Sequence, residues 1–140
     1  MDADGRSADA RAEIRVLLVD DHPMFRRTLA ESLDEEDGLV VVGECEDGSQ
    51  VVEAAARLHP DVVFMDLSMP VMDGLAATVA LHSAQPGTPV IMLTGDGASA
   101  RSRAAAAGAR AVVPKGARAD GLLRCLRTVL ADGDGCPFCL

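Results

Sequence analysis

A chain of 140 residues has room for one folded domain with a proper core and little else. Its composition is 49% hydrophobic but only 2% aromatic, with no Trp and no Tyr, so the core must be built from aliphatic side chains, Ala and Met. The formal charge of -9 argues against sequence-independent nucleic-acid binding, which needs Lys and Arg to displace counterions from phosphates.

Met1 to Ala12 alternates Asp, Gly, Ser, Arg and Ala without an apolar face and reads as a disordered leader, leaving 13–131 as the folded domain. Ile14 to Val19 is an apolar run fit for a buried strand. Pro23 suits the first turn of the following helix, whose inner face would carry Met24, Phe25, Leu29 and Leu33. Gly38 breaks the chain, Leu39 to Val42 form a second strand, and Ser49 caps a helix over Val51 to Leu58 that His59 and Pro60 end. A third strand, Val62 to Met65, leads through a turn-rich stretch, Ser68 to Gly74, into a helix from Leu75 to Ser83 closed by Pro86 and Gly87. Val90 to Leu93, an Ala-rich helix over Ala98 to Ala107 stopped by Gly108, a fifth strand over Ala111 to Val113, and a last helix over Ala119 to Leu130 complete the series. Residues 132–140 have no helical period and read as a flexible tail.

Strand alternating with helix predicts an α/β fold with a parallel sheet covered on both faces. Such sheets gather the carboxyl ends of their strands along one edge, with a crevice where the strand order reverses. The residues ending these strands are Asp20 with Asp21, then Asp66, then Thr94, then Lys115. Three carboxylates at a few Å repel by about 4 kcal/mol per pair at an effective dielectric near 20, so the group calls for a cation. Oxygen-only ligands with open positions suit Mg²⁺, or Mn²⁺ in its place, and Mg²⁺ favours a few carboxylates plus a phosphate. Asp66, alone at its strand end, is the natural nucleophile for phosphoryl chemistry, with Thr94 and Lys115 contacting the transferred oxygens.

At these residues the sequence resembles the response-regulator receiver domain of two-component signalling, over Ile14 to Leu130. The resemblance rests on Leu-Leu-Val-Asp-Asp-His-Pro at 17–23, Phe-Met-Asp-Leu-Ser-Met-Pro-Val-Met-Asp-Gly at 64–74, Leu-Thr-Gly at 93–95, and Ala-Gly-Ala at 107–109 ahead of Lys115. The first two stretches are most similar to the subgroup usually attached to LuxR-type DNA-binding domains. It implies a flavodoxin-like (βα)5 doubly wound sheet of five parallel strands in the order 2-1-3-4-5. It also implies a signalling domain rather than an enzyme, accepting a phosphoryl group on Asp66 from a histidine kinase or phosphotransfer protein. Mg²⁺ would be held by Asp21, Asp66 and the backbone carbonyl of Ser68, with Asp20 acting through water. Thr94 would swing toward the phosphoryl group and Lys115 would pair with it. Ser68 and Asp96, two places after the phosphoacceptor and the Thr, would modulate autodephosphorylation; Asp96 either aligns the attacking water or sits in solvent.

Two positions depart from the pattern. Val112 stands where the family usually carries an aromatic switch residue, and Pro114 precedes Lys115 where a Pro often follows the Lys. Both bear on the output relay more than on phosphorylation.

Other residues carry weaker signals. His22 follows the acidic pair and either approaches the metal or, the favoured reading, is an exposed helix-start residue; Met69, Pro70, Asp73 and Gly74 read as loop architecture, with Gly74 supplying backbone freedom. Cys136 and Cys139 form a Cys-x-x-Cys pair in the tail, without a second ligand pair; Cys45 and Cys125 read as core thiols. Charge is uneven: residues 1–70 sum to -11 and residues 71–140 to +2. Arg101, Arg103, Arg110, Arg118, Arg124 and Arg127 gather on the fourth helix, fifth strand and fifth helix, either a solvated surface or a face for a homodimer or partner. No membrane span, no signal peptide and no DNA-binding element are read, and the cytoplasm is the expected compartment. The competing functions are a non-phosphorylated pseudo-receiver scaffold and an aspartate-nucleophile phosphatase; the latter lacks a second Asp, since the sequence reads Asp66-Leu67-Ser68.

Overall fold

The computed structural model describes residues 13–95, 97–131 and 138–140. The expected leader, Asp96 and Cys136 lie outside these residues. Strands β1 (Ile14–Val19), β2 (Leu39–Cys45), β3 (Val62–Asp66), β4 (Val90–Thr94) and β5 (Ala111–Pro114) alternate with helices α1 (Pro23–Asp34), α2 (Val51–Leu58), α3 (Gly74–Ala84), α4 (Arg101–Ala107) and α5 (Ala119–Leu130). Short 3-10 turns precede α2 (Gly48–Gln50) and α4 (Gly97–Ala100). The strands form one parallel sheet in the order β2-β1-β3-β4-β5. No helix among the described residues is long and apolar enough to cross a membrane.

The period-2 alternation of the strands divides the core into two layers. On one face Val16, Leu18, Phe64, Ile91, Leu93 and Val113 pack beneath Leu33 of α1 and Leu122, Leu126 and Val129 of α5. On the other, Leu17, Val19, Val63, Met65, Met92 and Val112 meet α2, α3 and α4. There the helices present Ala54, Ala55, Ala77 and Ala104, all buried, so small side chains let the helix axes come close to the sheet. Cys45 and Cys125 are buried thiols, and burial pushes the Cys45 thiol up to about 11.

Several local expectations change. Met24 is 77% exposed rather than inward, because the inner stripe of α1 is carried by Phe25, Leu29, Ala30 and Leu33. Strand β2 runs on to Cys45: a bulge at Val42 resets its register on β1, and pairing continues to Val19 beside Cys45. Ser49 does not cap α2. It sits in the preceding turn, where its amide donates to the Asp47 carboxylate. Gly108 ends α4 with φ 108, a left-handed conformation that favours Gly.

The end of the chain also differs from a wholly flexible tail. Cys139 bridges Ala111 antiparallel, the Val112 amide donates to the Phe138 carbonyl at 2.9 Å, and the Leu140 amide donates to the Arg110 carbonyl at 3.0 Å. Arg101 Nη2 donates to the Cys139 carbonyl at 3.0 Å, and Phe138 packs against the α5 side of the core. The free edge of β5 would otherwise expose unpaired backbone groups, which this short segment partly satisfies.

Candidate functional site

Parallel pairing brings the ends of β1, β3, β4 and β5 to one edge of the sheet. Asp20 follows β1, Asp66 ends β3, Thr94 ends β4, and Lys115 follows Pro114 of β5. The Lys115 amide donates to the Thr94 carbonyl at 3.0 Å, which carries the β4–β5 pairing one residue beyond the strand and sets the start of the Lys115 side chain. Asp20, Asp66 and Thr94 are all buried at 3% exposure or less.

Asp20 and Asp66 are each held from outside the pocket. The Asp20 amide donates to the Cys45 carbonyl at 3.0 Å, using the part of β2 beyond Val42. Arg26, one turn into α1, donates through Nη1 to the Asp20 carbonyl at 2.6 Å and through Nε to Glu44 at 2.7 Å. Behind Asp66 the Gly74 amide donates to the Leu67 carbonyl at 2.8 Å, and a Cβ on Gly74 would overlap the Asp66 carbonyl oxygen. The role of Gly74 is therefore close approach, not unusual dihedral freedom. Asp73 caps α3 by accepting from the Ala76 amide at 2.9 Å. The loop between them turns at Val71, whose φ of 68 is an outlier for a β-branched residue, with the Met72 amide donating to the Pro70 carbonyl.

The Lys115 ammonium enters the pocket over the Phe25 ring, 4.7 Å from its centroid, and stands 2.9 Å from Asp20 Oδ2 and 3.2 Å from Asp66 Oδ1. Burial alone would lower the Lys115 pKa, but the hydrogen bonds and charges of Asp20 and Asp66 outweigh it and hold the ammonium above its ordinary value. Asp66 is pushed the other way from most carboxylates, up to about 6. Burial is the main cause and the Asp20 charge the next, while the Lys115 charge and hydrogen bond oppose them. Three buried oxygens, Asp20 Oδ2, Asp21 Oδ1 and Asp66 Oδ2, receive no well-aligned hydrogen bond, and of these Asp20 Oδ2 has the Lys115 ammonium 2.9 Å away. One ammonium is thus shared by two of the three carboxylates, Asp20 and Asp66, and the orphaned oxygens fit a hard divalent cation.

The structure therefore brings Asp20, Asp21, Asp66, Thr94 and Lys115 to one place. Ser68 is exposed at the rim with its amide 3.4 Å from Asp66 Oδ1, a distance too long for a firm hydrogen bond. Val112 lies a strand length from the pocket, buried in the α2–α3–α4 layer with its amide committed to Phe138. Two participants are not evident from sequence, Arg26 on the Asp20 carbonyl and Phe25 beneath Lys115, and a third, His22, is exposed as its favoured reading had it but also reaches the acidic pair. The His22 side chain is 64% exposed, yet its Nδ1 stands 3.1 Å from both Asp20 Oδ1 and Asp21 Oδ1. The one available signal was position, since Phe25 and Arg26 lie within a turn of the Asp20–Asp21 pair.

A doubly wound sheet with this strand order and these residues on its strand ends defines a signalling receiver. The family described as response regulator receiver domain matches residues 16–127, and the chain belongs to that family. A protein-glutamate methylesterase/protein-glutamine glutaminase of Alkalilimnicola ehrlichii is 46% identical over 106 residues, covering 74% of this chain and 27% of the relative. One of the same description from Vibrio vulnificus is 45% identical over 105 residues, covering 73% and 28%. The chain thus spans about a quarter of the length of these relatives. Among solved structures, a LuxR-family two-component response regulator of Aurantimonas sp. superposes with a TM-score of 0.83 at 28% identity, covering 89% of this chain and 91% of the other. The response regulator domain of Thermotoga maritima CheB gives 0.78 at 31%, covering 88% and 99%.

Proposed function

We propose that this chain is a phosphorylation-controlled switch in which Asp66 accepts a phosphoryl group from a histidine kinase or phosphotransfer protein. The observation that carries the reading is the Asp66 carboxylate: buried, opposed by Lys115 at one oxygen, and without a hydrogen-bond donor at the other. In the transfer, an Asp66 oxygen attacks phosphorus, the P–N bond of a phosphohistidine breaks, and the bonding pair leaves on the imidazole. Mg²⁺, or Mn²⁺ in its place, held by Asp20, Asp21, Asp66 and the Ser68 carbonyl, would supply neutralising charge to the carboxylates and the incoming phosphate.

The chain's own residues do the rest. Lys115, now shared between Asp20 and Asp66, gains a third anionic partner and moves toward the phosphoryl oxygens. Thr94, on the adjacent strand end, turns its hydroxyl toward the same group, and the change passes along β4 and β5 to the face formed by α4, β5 and α5. Val112 on that route is aliphatic and buried, so the relay runs through backbone and packing rather than through a rotating aromatic ring. Ser68 at the rim tunes access of water. The relatives carry a receiver within about a quarter of their length, which supports an output in an effector, attached or recruited, such as a methylesterase. No DNA contact is part of this reading.

Acetyl phosphate with Mg²⁺, followed by intact mass measurement, tests it. Wild type should gain one phosphate that depends on Mg²⁺ and that Asp66→Asn does not gain. An unmodified wild type would support a scaffold instead, and sustained turnover of a separate organic phosphate would support a phosphatase.

A further inference from the structure

Resting on the metal pocket of the proposed function, the geometry points to His22 as a nitrogen ligand of the bound cation, which gives this receiver a preference for borderline divalent transition metals over Mg²⁺. The pocket would otherwise be all oxygen.

His22 precedes Pro23 at the start of α1 and occupies the N-cap position, but its side chain makes no capping hydrogen bond. Its backbone is fixed instead by its amide, which donates to Asp20 Oδ1 at 2.7 Å. That short turn aims the ring back over the acidic pair. Nδ1 stands 3.1 Å from Asp20 Oδ1, 3.1 Å from Asp21 Oδ1 and 3.8 Å from Asp66 Oδ2. Four donor atoms from Asp20, Asp21, His22 and Asp66 all lie within 4.8 Å of one another.

These separations have a chemical meaning. Donors about 2.1 Å from a six-coordinate ion stand about 3 Å apart on neighbouring vertices and about 4.2 Å apart across it. The His22–Asp20 and His22–Asp21 distances match neighbouring vertices. A hydrogen-bonded cluster alone explains the site less well. One N–H serves one acceptor well, and Asp21 Oδ1 and Asp66 Oδ2 stay buried without a hydrogen bond although Nδ1 is near both. The Asp66 side chain is only 4% exposed, so its orphaned oxygen has no recourse to water.

An imidazole nitrogen among carboxylates changes selectivity by donor softness. Mg²⁺ holds oxygen donors and water, whereas affinity for mixed nitrogen and oxygen sites rises from Mn²⁺ through Co²⁺ to Ni²⁺. The ring is largely exposed, so removing it opens no core cavity.

Mn²⁺ serves as probe and spin label in one experiment on the full chain. Pulsed EPR of the Mn²⁺-loaded wild type should show nitrogen coupling from a coordinated imidazole that His22→Ala abolishes, the other histidines being untouched. Calorimetric titration should show His22→Ala losing about tenfold in Ni²⁺ affinity while its Mg²⁺ affinity changes less than about threefold. Mn²⁺ bound without nitrogen coupling, or Ni²⁺ affinity unchanged by the substitution, overturns the His22 assignment and leaves the acidic pocket standing. Failure of both proteins to bind Mn²⁺ overturns the metal pocket itself, and His22 with it.

Discussion

Gly74 stands so close to Asp66 that its missing side chain is part of the site: a Cβ there would overlap the Asp66 carbonyl oxygen and crowd the Leu67 Cα. Both neighbours are backbone, which cannot rotate aside. Gly74→Ala should therefore cost about 2 to 3 kcal/mol, as overpacking against fixed atoms does. It should also slow acetyl phosphate labelling, because the loop must shift the residue that carries the reaction. Urea unfolding and intact mass would read the two effects.

Asp66 itself should weaken the metal-free fold at neutral pH. Its folded pKa of about 6 lies above the ordinary 3.8, so between those values the folded state holds more proton than the unfolded one. Stability contributed by this group is then full at low pH and falls as pH rises through about 6. Asp66→Asn in EDTA should be more stable than wild type by about 2 to 3 kcal/mol at pH 7.5, with the gap closing as pH drops toward 4. A gap that widens on acidification would contradict the burial argument.

Removal of Lys115 separates stability from cation binding. Lys115→Met leaves Asp20 and Asp66 without the ammonium 2.9 and 3.2 Å away, so the metal-free protein should lose about 3 kcal/mol. Mg²⁺ affinity should rise about tenfold, because a nearby positive charge no longer opposes the ion. Thermal melts with and without Mg²⁺, and calorimetry, would test both signs.

Thr78 offers a stabilising change away from the pocket. It is 0% exposed and its Oγ1 has no hydrogen-bond partner. Thr78→Val keeps the shape and removes the unsatisfied hydroxyl, which should raise stability by about 1 kcal/mol in urea unfolding.

The Phe138–Leu140 segment should be detectable on the edge of β5. The Val112 amide donates to the Phe138 carbonyl, and the Phe138 ring packs near Gly121 of α5. Phe138→Ala should leave the global melting temperature within a few degrees of wild type while speeding amide exchange at Val112 about tenfold or more. Unchanged exchange at Val112 would mean that the segment does not protect this edge.

Much of the pocket was legible in the chain because the signal was local. Asp20, Asp66, Thr94 and Lys115 each follow a short apolar run, and strand–helix alternation brings such ends to one edge of a parallel sheet. The same apolar runs made the strands themselves readable as buried. Pattern alone misplaced Met24, which a helical stripe could include but packing excluded, and it stopped β2 at Val42, where apolar character ends before backbone pairing does.

The sequence by itself determined the alternation of elements, the aliphatic core and the set of acidic, hydroxyl and ammonium groups at the strand ends, since each depends on neighbours a few residues away. Only the tertiary structure decided that Gly74 is needed for contact with Asp66, that Arg26 secures the Asp20 carbonyl, that His22 faces the carboxylates, and that Phe138–Leu140 lines β5. Those relationships require segments apart in the chain, or a side chain and its near neighbours, to meet within a few Å in one particular geometry. No periodicity encodes such distances; they follow from how the layers pack.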